Sequence, residues 1–180
     1  MRGFTLVELV AVILIMGIMA AVAIPRFANV SSFNIRQFSD QSLAVVRYGQ
    51  KMAIGQNVPV YVRLNGSSVA LCYDSACSQP VAAPNNANSG SSATLAACAS
   101  SNSWDCEGAP TGVTFTATNA GGTSFIGGSP LFYFSPQGKP YKTGETEPNT
   151  AFNSLLTITI SGSAGTYSFF VEQETGYVHR

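Results

Sequence analysis

The chain has 180 residues, of which 10% are charged, with nine basic side chains balanced by nine acidic ones. That length holds one long helix and one domain of about 120–150 residues with its own core, not two globular domains. Average soluble proteins are about 25% charged. The low, balanced charge, with abundant Gly, Ser, Thr, Ala and Asn, excludes a nucleic-acid binder driven by bulk charge and suits an extracytoplasmic surface.

From Phe4 to Ile24 run 21 residues carrying one charged side chain, Glu8. At about 1.5 Å per residue, a helix of that length covers the roughly 30 Å of a bilayer core. An ordinary secretory signal has a longer basic leader, a shorter apolar segment and a small-residue cleavage site. Here the leader is only Met1-Arg2-Gly3. Arg2 ahead of the helix predicts an N-in, C-out topology by the positive-inside tendency, with Arg26 at the far end weakening the asymmetry. A lone carboxylate inside such a span costs about 2.5–3.5 kcal/mol at the bilayer centre and less near the edge, so Glu8 calls for a partner. The plainer alternative is a Glu resting at the headgroup boundary of a signal anchor.

Pro25 removes a backbone donor and clashes with the preceding turn, which predicts a kink around 22–25 without ending the helix. A helical period resumes from Phe27 to about Gln56. Ile35, Phe38, Ser42, Val45, Val46, Gly49, Met52 and Ala53 share one arc, the face expected to pack on a sheet, with Ser42 and Gly49 small enough to admit another backbone. Arg36, Arg47 and Lys51 form a basic stripe interrupted by Asp40, read as a solvated face with an Arg36–Asp40 pair at i,i+4.

After Gln56-Asn57 the period becomes two. Val58, Val60, Val62 and Leu64 alternate with Pro59, Tyr61 and Arg63, and Asn65-Gly66 signals a type I′ hairpin turn into 69–73. Pro59 suits a strand edge or first position. Residues 74–112 show little periodicity and read as a long connection, with Trp104 as an anchor onto the body. Strands are expected at 113–117, 131–135, 155–160 and 166–171, with a last short strand near 176–178 and a turn and loop over 136–150. The predicted fold class is α+β: a long N-terminal transmembrane and amphipathic helix packed on an antiparallel sheet of five to seven strands. Its segments are 1–3 as leader, 4–24 as membrane helix, 25–56 as outer helix and 57–180 as β-rich domain.

The four cysteines, Cys72, Cys77, Cys98 and Cys106, all follow the apolar helix, and their even number predicts two disulfides in an oxidising compartment. Three connectivities exist. Cys72–Cys77 with Cys98–Cys106 is favoured because each closes a short loop, while crossed pairing stays open. Structural zinc sites use tighter paired spacing, which only Cys72 and Cys77 meet, so no metal is expected. His179 is the one histidine, at the C-terminal end. Without a nucleophile motif or a credible acid–base pair, no enzyme and no cofactor are predicted.

Gly3-Phe4-Thr5-Leu6-Val7-Glu8-Leu9, with Pro25 after the apolar run, resembles the class III signal of type IV pilins and type II secretion pseudopilins. The resemblance implies cleavage between Gly3 and Phe4 by a prepilin peptidase and methylation of Phe4. It also implies that Glu8 pairs with the terminal amine of a neighbouring subunit and that Pro25 is the family's helix-kinking proline. The partners implied are other major and minor pilins, an inner-membrane assembly platform, and the lipid bilayer before assembly. A buried carboxylate met by an opposite charge is the arrangement hydrocarbon favours, and it sets register.

Three further stretches narrow the resemblance: SLAVVRYGQKMAIGQNVPVYVRL, Phe134-Ser-Pro-Gln-Gly138, and the ending V-E-Q-E-T-G-Y-V. They resemble H-type minor pseudopilins and FimT-type minor pilins. CYDSAC and E-T-G-Y-V-H resemble the MshC-type minor pilins of mannose-sensitive haemagglutinin pili. The implied function is a minor pilin that primes or caps filament assembly, first in the inner membrane and then in the pilus. The alternatives are an H-type pseudopilin of a secretion system, a tip adhesin that uses 74–112 to touch glycans or surfaces, and a DNA-binding module. Some FimT-type proteins bind DNA through a basic C-terminal region. Here Arg180 is the only formal cation after Lys142, so nucleic acid is set aside as a partner.

Overall fold

The computed structural model describes residues 5–27, 30–146, 148, 152 and 154–180, without side chains at 23–27, 30 and 31. Helix α1 covers Leu6–Phe27 and α2 covers Val30–Gln56. α1 continues two residues past Pro25, so this proline lies inside a helix and not at its end. Residues 5–22 are all exposed, Leu6 at 81% and Met19 at 69%. A helix apolar on every side has no single face to bury against a domain. The second helix does have one. Ile35, Phe38, Ser42, Val45, Val46, Gly49 and Ala53 are buried, Met52 is half-buried, and Ser39 and Leu43 widen the face. At Gly49 an added Cβ would lie 2.8 Å from Leu71 Cδ2, so the small residue admits a side chain, where another backbone was expected.

Nine strands, counted among the described residues, form two antiparallel sheets, where a single sheet of five to seven was expected. They are β1 (Val60–Leu64), β2 (Ser68–Cys72), β3 (Cys106–Gly108), β4 (Thr114–Asn119), β5 (Phe132–Phe134), β6 (Pro140–Lys142), β7 (Leu156–Gly162), β8 (Gly165–Val171) and β9 (Val178–His179). The first sheet has the order β3-β2-β1-β5-β6 and the second β4-β7-β8-β9. α2 packs against both. β3, β6 and β9 have two or three residues each, too few to show an alternation, and β6 lies within the stretch read as loop. Between the sheets and α2 sits a core rich in Phe: Phe38 meets Phe115 at 5.8 Å between ring centroids, and Phe125 meets Phe152 at 5.2 Å. In β7, a Cβ on Gly162 would come within 2.6 Å of Ile35 Cδ1, so glycine lets the start of α2 close onto the second sheet.

The β1–β2 turn is not type I′. Gly66 has φ +84° while Asn65 has no positive φ, and a type I′ turn needs both. Leu64 pairs with Val69, leaving a four-residue connection closed by the Asn65 side chain. Its Oδ1 accepts from the Ser67 amide at 3.1 Å and the Ser68 amide at 2.7 Å. Pro59 stands just before β1, which is central in its sheet, so the missing donor falls outside the ladder.

Residues 74–112 are structured, where a long irregular connection was expected. They hold a 3₁₀ turn at Pro84–Asn86, helix α3 (Ser92–Ala97) and strand β3. Ser91 caps α3 by accepting from the Thr94 amide at 3.1 Å. Disulfides join Cys72 to Cys77 and Cys98 to Cys106, with Cα–Cα distances of 5.1 and 5.9 Å. Trp104, 8% exposed, donates Nε1–H to the Leu71 carbonyl at 2.7 Å and packs with Ala70 and three of the cysteines as a second small core. Short-range polar bonds and sulfur links carry this order, and apolar periodicity does not register either.

Candidate assembly surface and its supporting contacts

Thr5 and Glu8 make a reciprocal cap at the start of α1. The Thr5 amide donates to Glu8 Oε2 at 3.0 Å, the Thr5 hydroxyl donates to the same oxygen at 2.8 Å, and the Glu8 amide donates to Thr5 Oγ1 at 3.3 Å. This is a capping box, which satisfies donors that a helix N-terminus otherwise leaves open. Thr5 was not singled out from the sequence, although Thr-x-x-Glu ahead of an apolar run is the signal for it. The carboxylate that a span leaves alone thus has a partner within its own chain. Beyond it, Leu9, Ile13, Leu14, Ile15, Met16, Ile18, Met19 and Val22 extend the exposed apolar surface along α1.

Gly3 and Phe4 lie outside the described residues, and Pro25 is described by its backbone alone. Among the described residues no helix is long and apolar enough to cross a membrane. The span read from the sequence begins at Phe4, beyond that set.

The globular body is held on α2 by its C-terminal residues. Arg47 donates Nε–H to the Val178 carbonyl at 2.8 Å, and Gln50 Nε2 donates to the carbonyls of Gly138 at 3.1 Å and Thr175 at 2.8 Å. Asp40 pairs with Arg180 and not with Arg36, because folding brings the chain end to the helix face. Part of the basic stripe is therefore engaged within the fold. His179 Nε2 lies 2.9 Å from Glu172 Oε1, and its ring stacks on Tyr177 at 5.3 Å between centroids. The hydrogen bond to Glu172 raises the imidazole above its usual range, helped by the Arg180 carbonyl. In the Cys72–Cys77 loop, Asp74 accepts from the Ser78 hydroxyl at 2.7 Å and the Gln79 amide at 2.9 Å, which holds its carboxyl below the usual range. No group of three or more metal-ligating side chains occurs among the described residues.

Residues 1–24 match the prokaryotic N-terminal methylation motif. No curated protein matches the chain in sequence. Among solved structures, the chain is similar to the type IV minor pilin FimU of Pseudomonas aeruginosa PAO1, at 12% identity over 83% of this chain and 89% of that one, with a TM-score of 0.49. It is also similar to the minor pseudopilin EpsH from the type 2 secretion system of Vibrio cholerae, at 10% identity over 81% of this chain and 94% of that one, with a TM-score of 0.50. The latter likeness is one of fold. The motif implies a membrane-anchored precursor, processing by a prepilin peptidase and assembly with other pilins. The chain thus joins a prokaryotic N-terminal methylation motif, carried on an exposed apolar helix, to a body with the fold of a minor pseudopilin.

Proposed function

We propose that the chain is a minor pilin of a type IV pilus of the mannose-sensitive haemagglutinin kind, which primes or caps filament assembly. The observation that carries this reading is the exposed α1, apolar along its length and bearing one carboxylate, on a body whose own core is complete. Such a helix needs a second environment, and lipid before assembly and a bundle of like helices afterwards both supply it. Residues 4–24 insert with the N-terminus inside and the β-rich domain outside, and residues 1–3 are removed by cleavage between Gly3 and Phe4. Methylated Phe4 then begins the mature chain, Glu8 exchanges its Thr5 cap for the terminal amine of a neighbour, and Pro25 lets the outer helix bend to fit.

Mass spectrometry of the native protein tests the processing step: the mature chain is expected to start at Phe4 with one added methyl group, and an intact Met1 overturns it. The pseudopilin reading has the same helix physics and is separated by phenotype. Deletion of the gene is expected to abolish piliation, and loss of protein secretion with normal pili assigns the subunit to a secretion system.

A further inference from the structure

Asp105 is 5% exposed and lies just ahead of β3, beneath α2. Its Oδ2 is sealed from solvent and meets no donor among the described residues. Two residues on, Glu107 is equally buried but saturated: Oε1 accepts from the Ser89 amide at 2.8 Å, and Oε2 accepts from the Ser89 and Thr94 hydroxyls at 2.5 and 2.8 Å. Both carboxylates line an open cleft of about 310 Å³ between α2 and the segment 84–89. Its other walls are mainly apolar, with Ala44, Val45, Pro84 and Ala87 beside the ring of Tyr48. Buried carboxylates ordinarily have a partner. Here one has three donors and the other has none for its sealed oxygen, and both line the same cleft.

We propose that this cleft receives the alkylammonium group of a lysine side chain on a neighbouring subunit, with Asp105 as its carboxylate partner. The inference rests on the assembly reading above for the source of the lysine, but not for the chemistry of the site. Apolar walls suit a tetramethylene stem, and Tyr48 lines the same cleft. A divalent metal fits poorly: calcium takes about six to eight oxygens, and with Glu107 occupied the cleft offers one free carboxylate. A guanidinium also fits poorly, because its two-pronged bond needs both oxygens and Oδ2 is sealed. Ammonium is a compact charge that needs one. The carboxyl of Asp105 is pushed up to about 7 by burial and by the charge of Glu107, so it is ionised and able to meet a cation above that pH. The titratable groups facing it are Glu107 on its own segment and Tyr48 on α2.

The test uses the full chain in detergent micelles with n-butylammonium chloride as the probe, read by NMR shifts of the Asp105 carboxyl and the Tyr48 ring. Saturable shifts are expected at pH 8, weakened at least tenfold in Asp105→Asn and unchanged in Asp40→Asn. At pH 5.5 the wild-type chain is expected to bind at least tenfold more weakly, a readout that stands even if the variant does not fold. Non-saturating shifts, undiminished binding by Asp105→Asn, or calcium chloride moving the same resonances at lower concentration overturns the site. For the source, carbodiimide treatment of intact filaments is expected to join Asp105 to a lysine Nζ of another chain. That amide forms as the activated carboxyl is attacked by the amine and the urea leaves. An adduct with a free amine such as putrescine alone overturns the neighbouring-subunit assignment while leaving the ammonium site standing.

Discussion

Arg47 donates its Nε–H to the carbonyl of Val178 at 2.8 Å, across 131 positions of sequence, and so ties the long helix to the last strand. Around that bond gather Arg180 on Asp40, Gln50 on Gly138 and Thr175, and His179 on Glu172. The C-terminal residues thus act as a strap across α2. Its tightness follows from charge and hydrogen bonding more than from apolar area, because β9 is only two residues long.

The strap should respond to pH through His179. Its imidazole is raised in the folded state, so its contribution is fully present below about 6.5 and is lost as pH rises through the folded value. His179→Ala is expected to lower the melting temperature slightly at pH 5.5 and to leave it unchanged at pH 8.5. Thermal unfolding at the two pH values checks this, and an equal loss at both assigns the effect to ring packing on Tyr177.

Asp105 titrates in the opposite sense to an ordinary paired carboxylate. Its folded value of about 7 lies above the ordinary aspartate value of 3.8, so the folded chain holds a proton that the unfolded chain has released between those pH values. Stability therefore falls as pH rises from about 4 to 7 and is flat beyond, by an amount on the order of 2–4 kcal/mol. Asp105→Asn is expected to remove this slope and to be more stable than the native chain at pH 8. Denaturant titrations at pH 5 and pH 8 read it directly.

Phe38 is fully buried and meets Phe115, joining α2 to the second sheet. Phe38→Ala is expected to cost about 3–5 kcal/mol, the usual loss for emptying an aromatic site in a packed core. Urea unfolding with an unchanged m-value is the check.

Reduction of Cys98–Cys106 should free α3 from β3. A cross-link closing so short a loop stabilises by about 2–3 kcal/mol in the chain-entropy account. Trp104, the single tryptophan, packs beside this bond, so its fluorescence is expected to shift to longer wavelength on reduction. The Cys98→Ala, Cys106→Ala double variant should reproduce the shift without reductant.

Glu8→Leu keeps the apolar helix and removes the carboxylate that Thr5 caps. The variant is expected to insert in the membrane and to be missing from sheared filaments by immunoblot. Normal incorporation would sink the pairing of Glu8 with a neighbour's amine. Thr5→Val, which keeps the carboxylate, is expected to retain partial incorporation.

The alternation in Val60–Leu64, the helical arc from Ile35 to Ala53, the apolar run behind Gly3 and the Thr-x-x-Glu cap are all local patterns, and local pattern suffices because backbone period alone selects the buried face. What the tertiary structure decided is everything that joins distant positions. The division into two sheets depends on α2 presenting a wide face to both, and the ordering of 74–112 depends on Trp104 reaching Leu71 and on Cys98 reaching Cys106. Asp40 could be assigned to Arg36 from spacing, yet Arg180 takes it, since the fold delivers the chain end to that face. Asp105 looks like any surface acid in sequence. Only the packing of α2 over the segment before β3 makes it a buried carboxylate whose Oδ2 meets no donor among the described residues, because burial is a property of what the rest of the chain lays on top.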